Sequence, residues 1–111
     1  MYAELQIPTS SASMELSRPY TINAANTWEK KTITYAGDTS GVLTNDNDIG
    51  LMVQFWFASG STYTSGTLNT SWADNTNANR AVGQVNLADS TSNYVNITGI
   101  QLEVGDTATP F

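Results

Sequence analysis

Histidine and cysteine are both absent from this 111-residue sequence. That removes thiol nucleophiles, disulfides, zinc sites of the usual kind and any catalytic triad built on an imidazole base. Charge is scarce too: Asp, Glu, Lys and Arg make up 13 %, about half the share in ordinary soluble domains. Basic residues are the rarest, four against ten acidic, leaving a formal charge of -6 and a pI near 4.1. A phosphate backbone would be repelled, so nucleic acid is not an expected partner. The longest apolar run, residues 49–58, is interrupted by Gln54 and too short to span a bilayer, so no membrane partner is expected either. The opening MYAELQIPTS has no basic region followed by an apolar stretch, so no signal peptide is expected.

Ser, Thr and Asn fill the space, 38 residues in all. A neutral surface rich in hydroxyl and amide groups favours strands and turns over helix. With 40 % hydrophobic and 10 % aromatic residues, a core can form. The length suits one domain, residues 1–111. The chemistry that remains is carboxylate acid–base work, binding of hard cations, or recognition by neutral polar and aromatic groups.

Period-two alternation recurs along the chain and helical spacing does not. It predicts strands over Tyr2–Ile7, Arg18–Asn23 and Glu29–Ala36, separated by the turn-rich TSSAS and by the AAN preceding Trp28. Turns are expected at 37–41 and at Asn45–Asp48. Residues 49–59 form the most decisive strand and are expected to be central in a sheet. Ile49, Leu51, Val53, Phe55 and Phe57 share one face; Met52, Gln54 and Trp56 share the other. Residues 60–80 read as one long polar loop, a feature that is usually functional in a compact domain. Strands over Val82–Leu87 and Tyr94–Val104 follow, the second with a parity flip at Thr98-Gly99 that a β-bulge would absorb. Some seven short strands with polar turns predict an all-β fold, an antiparallel β-sandwich or jelly roll.

Two stretches have a familiar pattern: residues 20–41, YTINAANTWEKKTITYAGDTSG, and GQVNLADST from Gly83 continuing through NITGIQLEVGDTATPF at the C-terminus. Together they resemble the C-terminal jelly-roll domain of phage tail-fibre and virion structural proteins of the marine phage type. More distantly they are similar to carbohydrate-binding modules of families 4 and 9. Domains of the phage family begin a strand or more before the position of Met1, so the resemblance implies a jelly roll lacking its first strands, with an exposed edge. It further implies a virion component made in the host cytoplasm, self-association to cover the gap, and a homotrimer as the leading oligomer. In the look-alikes the position of Trp28 packs inward, which makes a core or staple role the expectation there.

The candidate binding residues fall in two groups. Trp56, Gln54 and Met52 share the non-core face of their strand; it reads first as a subunit interface, with the floor of a sugar-binding groove as the alternative. Tyr63, Asn69, Trp72, Asp74, Asn77, Asn79 and Arg80 lie in the long loop and mix aromatic platforms with amide and carboxylate groups suited to a carbohydrate. A cluster of acids at Asp46 and Asp48, with Asp38 nearby, offers oxygen ligands to calcium but lacks the glycine and final glutamate of an EF-hand, so a plain turn is preferred. Glycoside hydrolysis needs two carboxyl groups about 5–10 Å apart. Glu4, Glu15, Glu29 and Glu103 are scattered, and nothing in the sequence pairs one acid with another. Glu103 is expected to face solvent or an interface. The sequons at Asn69 and Asn96 carry no weight without a secretory signal.

The leading expectation is therefore a non-enzymatic domain of a phage fibre with no cofactor, attaching to a host cell-surface glycan by multivalent weak contacts. A purely structural trimerising or capping domain, and a carbohydrate-binding module of a glycosidase, are the alternatives.

Overall fold

The computed structural model of the protein describes residues 1–8, 13–40, 43 and 45–110. All but the last residue of the turn-rich TSSAS, the glycine closing the 37–41 turn and the terminal phenylalanine of the familiar pattern lie outside the described residues.

The architecture is mostly β. Four strands form one antiparallel sheet: β1 (Tyr2–Pro8), β2 (Ser13–Pro19), β3 (Met52–Trp56) and the short β4 (Ala73–Asp74), in the order β3-β1-β2-β4. Among the described residues helix is limited to α1 (Ser61–Thr64) and two 3-10 turns, Asn77–Asn79 and Leu87–Asp89. No helix among the described residues is long and apolar enough to cross a membrane.

β1 and β2 pair as a hairpin, Leu5 opposite Leu16 and Gln6 opposite Glu15. The ladder continues one step past the strands, where Met1 and Tyr20 exchange hydrogen bonds of 2.8 and 3.0 Å. On the other side of β1, Leu5 faces Val53 and Tyr2 faces Trp56. Side chains alternate across a pleated strand, so this register sorts them into two faces. Ala3, Leu5 and Ile7 share the apolar face with Leu16, Val53 and Phe55. Glu4 and Gln6 share the polar face with Glu15, Ser17, Gln54 and Trp56.

Several expectations are corrected. The second strand is Ser13–Pro19, not Arg18–Asn23, because the alternation of Met14, Leu16 and Arg18 against Glu15 and Ser17 carries the hairpin up to Pro19. The strand over residues 49–59 contracts to β3 and sits at an edge of the sheet; the central positions belong to β1 and β2. As an edge strand β3 has fewer neighbours, and Leu51 and Val53 stay exposed. The long polar segment is not a bare loop: it contains α1, β4 and a 3-10 turn. Residues 29–36 and 94–104 join no β-ladder among the described residues, and residues 82–87 lead through a turn into Leu87–Asp89. The bulge expected at Thr98-Gly99 therefore has no ladder to sit in, although Gly99 does adopt a positive φ of 61°.

The two faces are covered differently. Ala3, Leu5, Ile7 and Leu16 are buried on the apolar face, helped by Tyr35, whose hydroxyl donates to the Ala3 carbonyl at 2.8 Å. Burial pushes the Tyr35 phenol up to about 12. Beyond this patch the sheet and residues 20–38 and 92–110 enclose an open cleft of about 2550 Å³. Trp28 stands at its rim, 70 % exposed, instead of in a core. No ladder draws the segment that Trp28 opens down onto the sheet.

Candidate functional site

On the polar face, the register brings Glu4 of β1 between Ser17 of β2 and Gln54 of β3, with Glu15 one pair further along. Sequence alternation alone would leave these side chains in water. Instead the segment from Gly60 to Arg80 folds back across them. Its path is fixed by backbone bonds to β2, from Ser17 N to Asn69 O at 2.9 Å and from Asn75 N to Ser13 O at 2.8 Å. Within the segment Gly66 N donates to Ala78 O at 2.8 Å. A Cβ at Gly66 would stand 2.9 Å from that carbonyl oxygen and 2.0 Å from Asn79 Oδ1, so only glycine fits without a shift.

The fold-back delivers Arg80 into the middle of the face. Its Nε donates to Glu4 Oε1 at 3.0 Å, and its Nη2 reaches Glu4 Oε2 at 3.3 Å and Gln54 Oε1 at 2.8 Å. Glu15 Oε2 is the second acidic partner, 3.5 Å from Nε. The guanidinium lies 5.0 Å from the ring centre of Trp56 and 5.7 Å from that of Tyr63, within the range of cation–π attraction. Those two rings pack against each other at 5.1 Å, tilted by 47°. Trp56 Nε1 donates to Glu4 Oε2 at 2.5 Å, and Ser17 Oγ donates to the Arg80 carbonyl at 2.8 Å.

Both carboxylates are 0 % exposed and Arg80 is buried. Charges taken this far out of water persist only with close partners. Glu15 Oε1 receives Asn69 Nδ2 at 2.7 Å and Thr76 N at 3.4 Å. Burial pushes the Glu15 carboxyl above the ordinary glutamate range; those two donors and Arg80 oppose the shift, and the charge of Glu4 adds to it.

Of the ten candidate residues named from sequence, Trp56, Gln54, Tyr63, Asn69 and Arg80 meet here. The rings of Trp56 and Tyr63 are engaged with Arg80 and with each other, so the sheet face expected as a subunit interface or sugar-groove floor carries an internal network. Met52 joins it through a contact of its sulfur with Gln54 Nε2 at 3.3 Å. Trp72 lies apart, its indole donating to the Ala36 carbonyl at 2.6 Å and its ring facing the cleft on the far side. Asp74 is exposed on β4. Asn79 holds the fold-back by accepting from Thr67 N at 2.9 Å, and Asn77 O accepts from Arg80 N at 3.3 Å.

Sequence reasoning missed Glu4, Glu15 and Ser17. It took the acids as scattered, yet the hairpin places two of them around one guanidinium. The available signal was the strict alternation of Glu4 and Gln6 with Leu5 and Ile7, together with the rarity of cations: Arg80 is one of only four basic residues.

The other acids are local. Asp46 Oδ1 accepts from Asp48 N at 2.9 Å and Asp38 Oδ1 from Ser40 N at 2.9 Å, each closing a short turn. Among the described residues no group of three or more acids is placed to hold a metal ion. Glu29 gathers Asn23 N and Ala24 N, both at 2.9 Å, and pairs with Lys31. Glu103 is exposed and accepts from the Thr109 backbone and hydroxyl, which hold its carboxyl below the usual range.

Comparison of the chain with protein families, with characterised proteins and with solved structures finds no match.

Proposed function

We propose that the chain is a non-enzymatic virion domain that works as a homo-oligomer, a homotrimer on the fibre resemblance, with each copy covering the apolar cleft of another. One observation carries this reading. Residues 29–36 and 94–104 have the alternation of strands yet join no ladder among the described residues, and Ile97, Ile100, Leu102 and Val104 stay exposed beside an open cleft. Contiguous exposed apolar surface of this kind marks an interface, and unpaired extended backbone is a template for strand addition. A second copy is the favoured occupant because it brings the same two features and complementary charge. One bordering segment carries Lys30 beside the Glu29–Lys31 pair and Asp38, and the other carries Glu103 and Asp106, so copies packed head to tail would set Lys30 against an acidic segment. Pairing of these segments across copies would complete a jelly roll. Light scattering over a concentration series, with far-ultraviolet circular dichroism on the same samples, tests this. Trimers with more strand signal than the dilute chain support it; a stable monomer with exposed cleft at high concentration overturns it.

A second reading, attachment to a host-surface glycan, is favoured by a separate feature. Trp28 and Tyr94 are 70 % and 68 % exposed and border the same cleft, and the Tyr94 hydroxyl is tied to Asn26 Oδ1 at 3.1 Å. Flat aromatic surface beside amide groups suits a neutral, hydroxyl-dense ligand. On this reading the sugar platform moves from Trp56, whose ring is engaged by Arg80, to the exposed pair. Glycan-array binding by the wild type that is lost in Trp28→Ala, with the oligomer intact, would support it. An array without hits would remove it.

A further inference from the structure

We propose that Glu15 acts as a proton-held latch: in the folded protein its carboxyl group is kept as the neutral acid, and losing that proton loosens the grip of the Gly60–Arg80 segment on the sheet.

The geometry of the donors leads to this. Arg80 Nε has one hydrogen, and it goes to Glu4 Oε1 at 3.0 Å. Nη2 serves Glu4 Oε2 and Gln54 Oε1, at 3.3 and 2.8 Å. With Trp56 Nε1 added at 2.5 Å, Glu4 has every feature of an ionised carboxylate in a bidentate pair. Glu15 is left with the remainder. Its Oε1 accepts from Asn69 and Thr76, while its Oε2 is buried and receives no hydrogen bond. The nearest cationic atom to Oε2 is the same Nε, 3.5 Å away, whose hydrogen is directed at Glu4. A carboxylate would bury a charged oxygen without a donor, which is costly. Protonation at Oε2 removes that charge: a hydroxyl there also has no partner, but a neutral group costs less to bury than an anionic oxygen, and Oε1 still accepts as the carbonyl.

The charge count agrees. Two carboxyl groups share one guanidinium, so ionising both leaves a buried excess of one negative charge. Among the described residues no other cation is paired with either carboxyl group. The covering segment contributes Tyr63, whose ring lies against the guanidinium, and β4 contributes Asp74, beside Met14 and also acidic. Gln6, Ser17, Gln54 and Trp56 are neutral. The upward push of burial on Glu15 runs in the same direction. An acid whose folded value lies above its unfolded value gives stability that is full below the unfolded value and lost as pH rises through the folded one. Asn69 and Thr76, which hold Glu15 Oε1, belong to the covering segment, and Asn69 O also accepts from Ser17 N. Ionisation strengthens these two bonds individually, but it also buries a net negative charge that water can reach only if the segment lifts, and that cost opposes the clamp to β2.

Three measurements on the 111-residue protein test the latch. The Glu15 carboxyl carbon, followed by NMR, should stay protonated above the range of a free glutamate, about 4.3. The unfolding midpoint of the wild type should fall as pH rises beyond the free-glutamate range, and that of Glu15→Gln should stay level. The exchange protection of the Ser17 amide, corrected for the intrinsic pH effect, should drop over the same interval in the wild type only. A Glu15 carboxyl that titrates at or below the free value overturns the proposal. So does a parallel loss of stability in wild type and Glu15→Gln, and so does Ser17 protection that ignores the titration. If Glu15→Gln does not fold, the wild-type titration and Ser17 protection decide.

Discussion

The two faces of one small sheet are finished in opposite ways. The polar face is closed: two carboxyl groups, one guanidinium and two aromatic rings fill it, under a segment that has no buried apolar residue before Ala81. The apolar face is only partly closed, with Leu16 fully buried but Leu51, Val53 and the side chains of residues 97–104 left in contact with solvent. Ordinarily burial follows hydrophobicity. Here directional bonds hold the covered side together, and non-directional apolar surface is left for another body to cover. Hydrogen-bonded charges fix a single geometry but contribute little net stability, whereas apolar area contributes stability to whichever partner covers it. The difference separates what the chain can do alone from what it does in assembly.

The largest effect should come from the hub of the closed face. Arg80→Met leaves Glu4 and Glu15 buried without a cation, and loss of one partner of a buried pair costs about 3–5 kcal/mol. Urea unfolding should register this as a lower midpoint. Combining Arg80→Met with Glu4→Leu and Glu15→Leu should restore much of the loss, because no stranded charge remains. A smaller change follows at Gly66. Alanine there must push Asn79 or the Ala78 carbonyl aside, an overpacking cost of about 1–3 kcal/mol. Thermal unfolding should show a lower Tm, and exchange at the Gly66-to-Ala78 hydrogen bond should accelerate.

These two positions mark what was legible in the sequence. The alternation of Tyr2–Ile7 located the first strand, and that of residues 49–59 located β3 and sorted its faces, although β3 is shorter and lies at an edge; strand periodicity is a local property, place in the sheet is not. The covering of the polar face was not legible, because Glu4 and Arg80 are 76 residues apart and nothing local announces their meeting. Glu15 was hidden in another way. Its strand was expected only from Arg18, so Glu15 fell between the turn-rich TSSAS and that strand, and its alignment with Gln6 could not be drawn. The Trp28 expectation came from a likeness in pattern, and its exposure reflects a segment that finds no ladder within one chain. Trp56 was correctly set apart from the apolar face, but the same reasoning could not supply Arg80 as its partner.

Tyr35 is where the partly closed face is fastened. Tyr35→Phe removes the hydrogen bond to the Ala3 carbonyl, with an expected loss of about 1 kcal/mol at neutral pH. It also removes a pH effect. The folded phenol is pushed up to about 12, above its unfolded value of about 10, so its stabilisation is full below about pH 10 and lost as pH rises through about 12. Alkaline unfolding of the wild type should include this component, and that of Tyr35→Phe should not. A parallel alkaline decline in the two proteins would detach Tyr35 from the apolar face.

The smallest effect on the chain alone is expected at Val104, whose side chain makes the comparison of faces sharpest. It is fully exposed, so Val104→Ser removes no buried area within one copy, and surface changes of that kind stay within about 0.5 kcal/mol. If copies cover each other's cleft, the same methyl groups are buried in the oligomer, where each buried methylene-sized group is worth about 0.8 kcal/mol. A trimer would multiply that loss over its repeated contacts. Val104→Ser, or Leu102→Ser beside it, should therefore leave the unfolding midpoint of dilute protein unchanged and shift the association midpoint in light scattering to higher concentration. Arg80→Met should do the reverse at a matched folded fraction, weakening the chain while leaving the cleft intact. Equal shifts in folding and association for both variants would mean that the two faces form one cooperative unit, and the division of labour between them would fall.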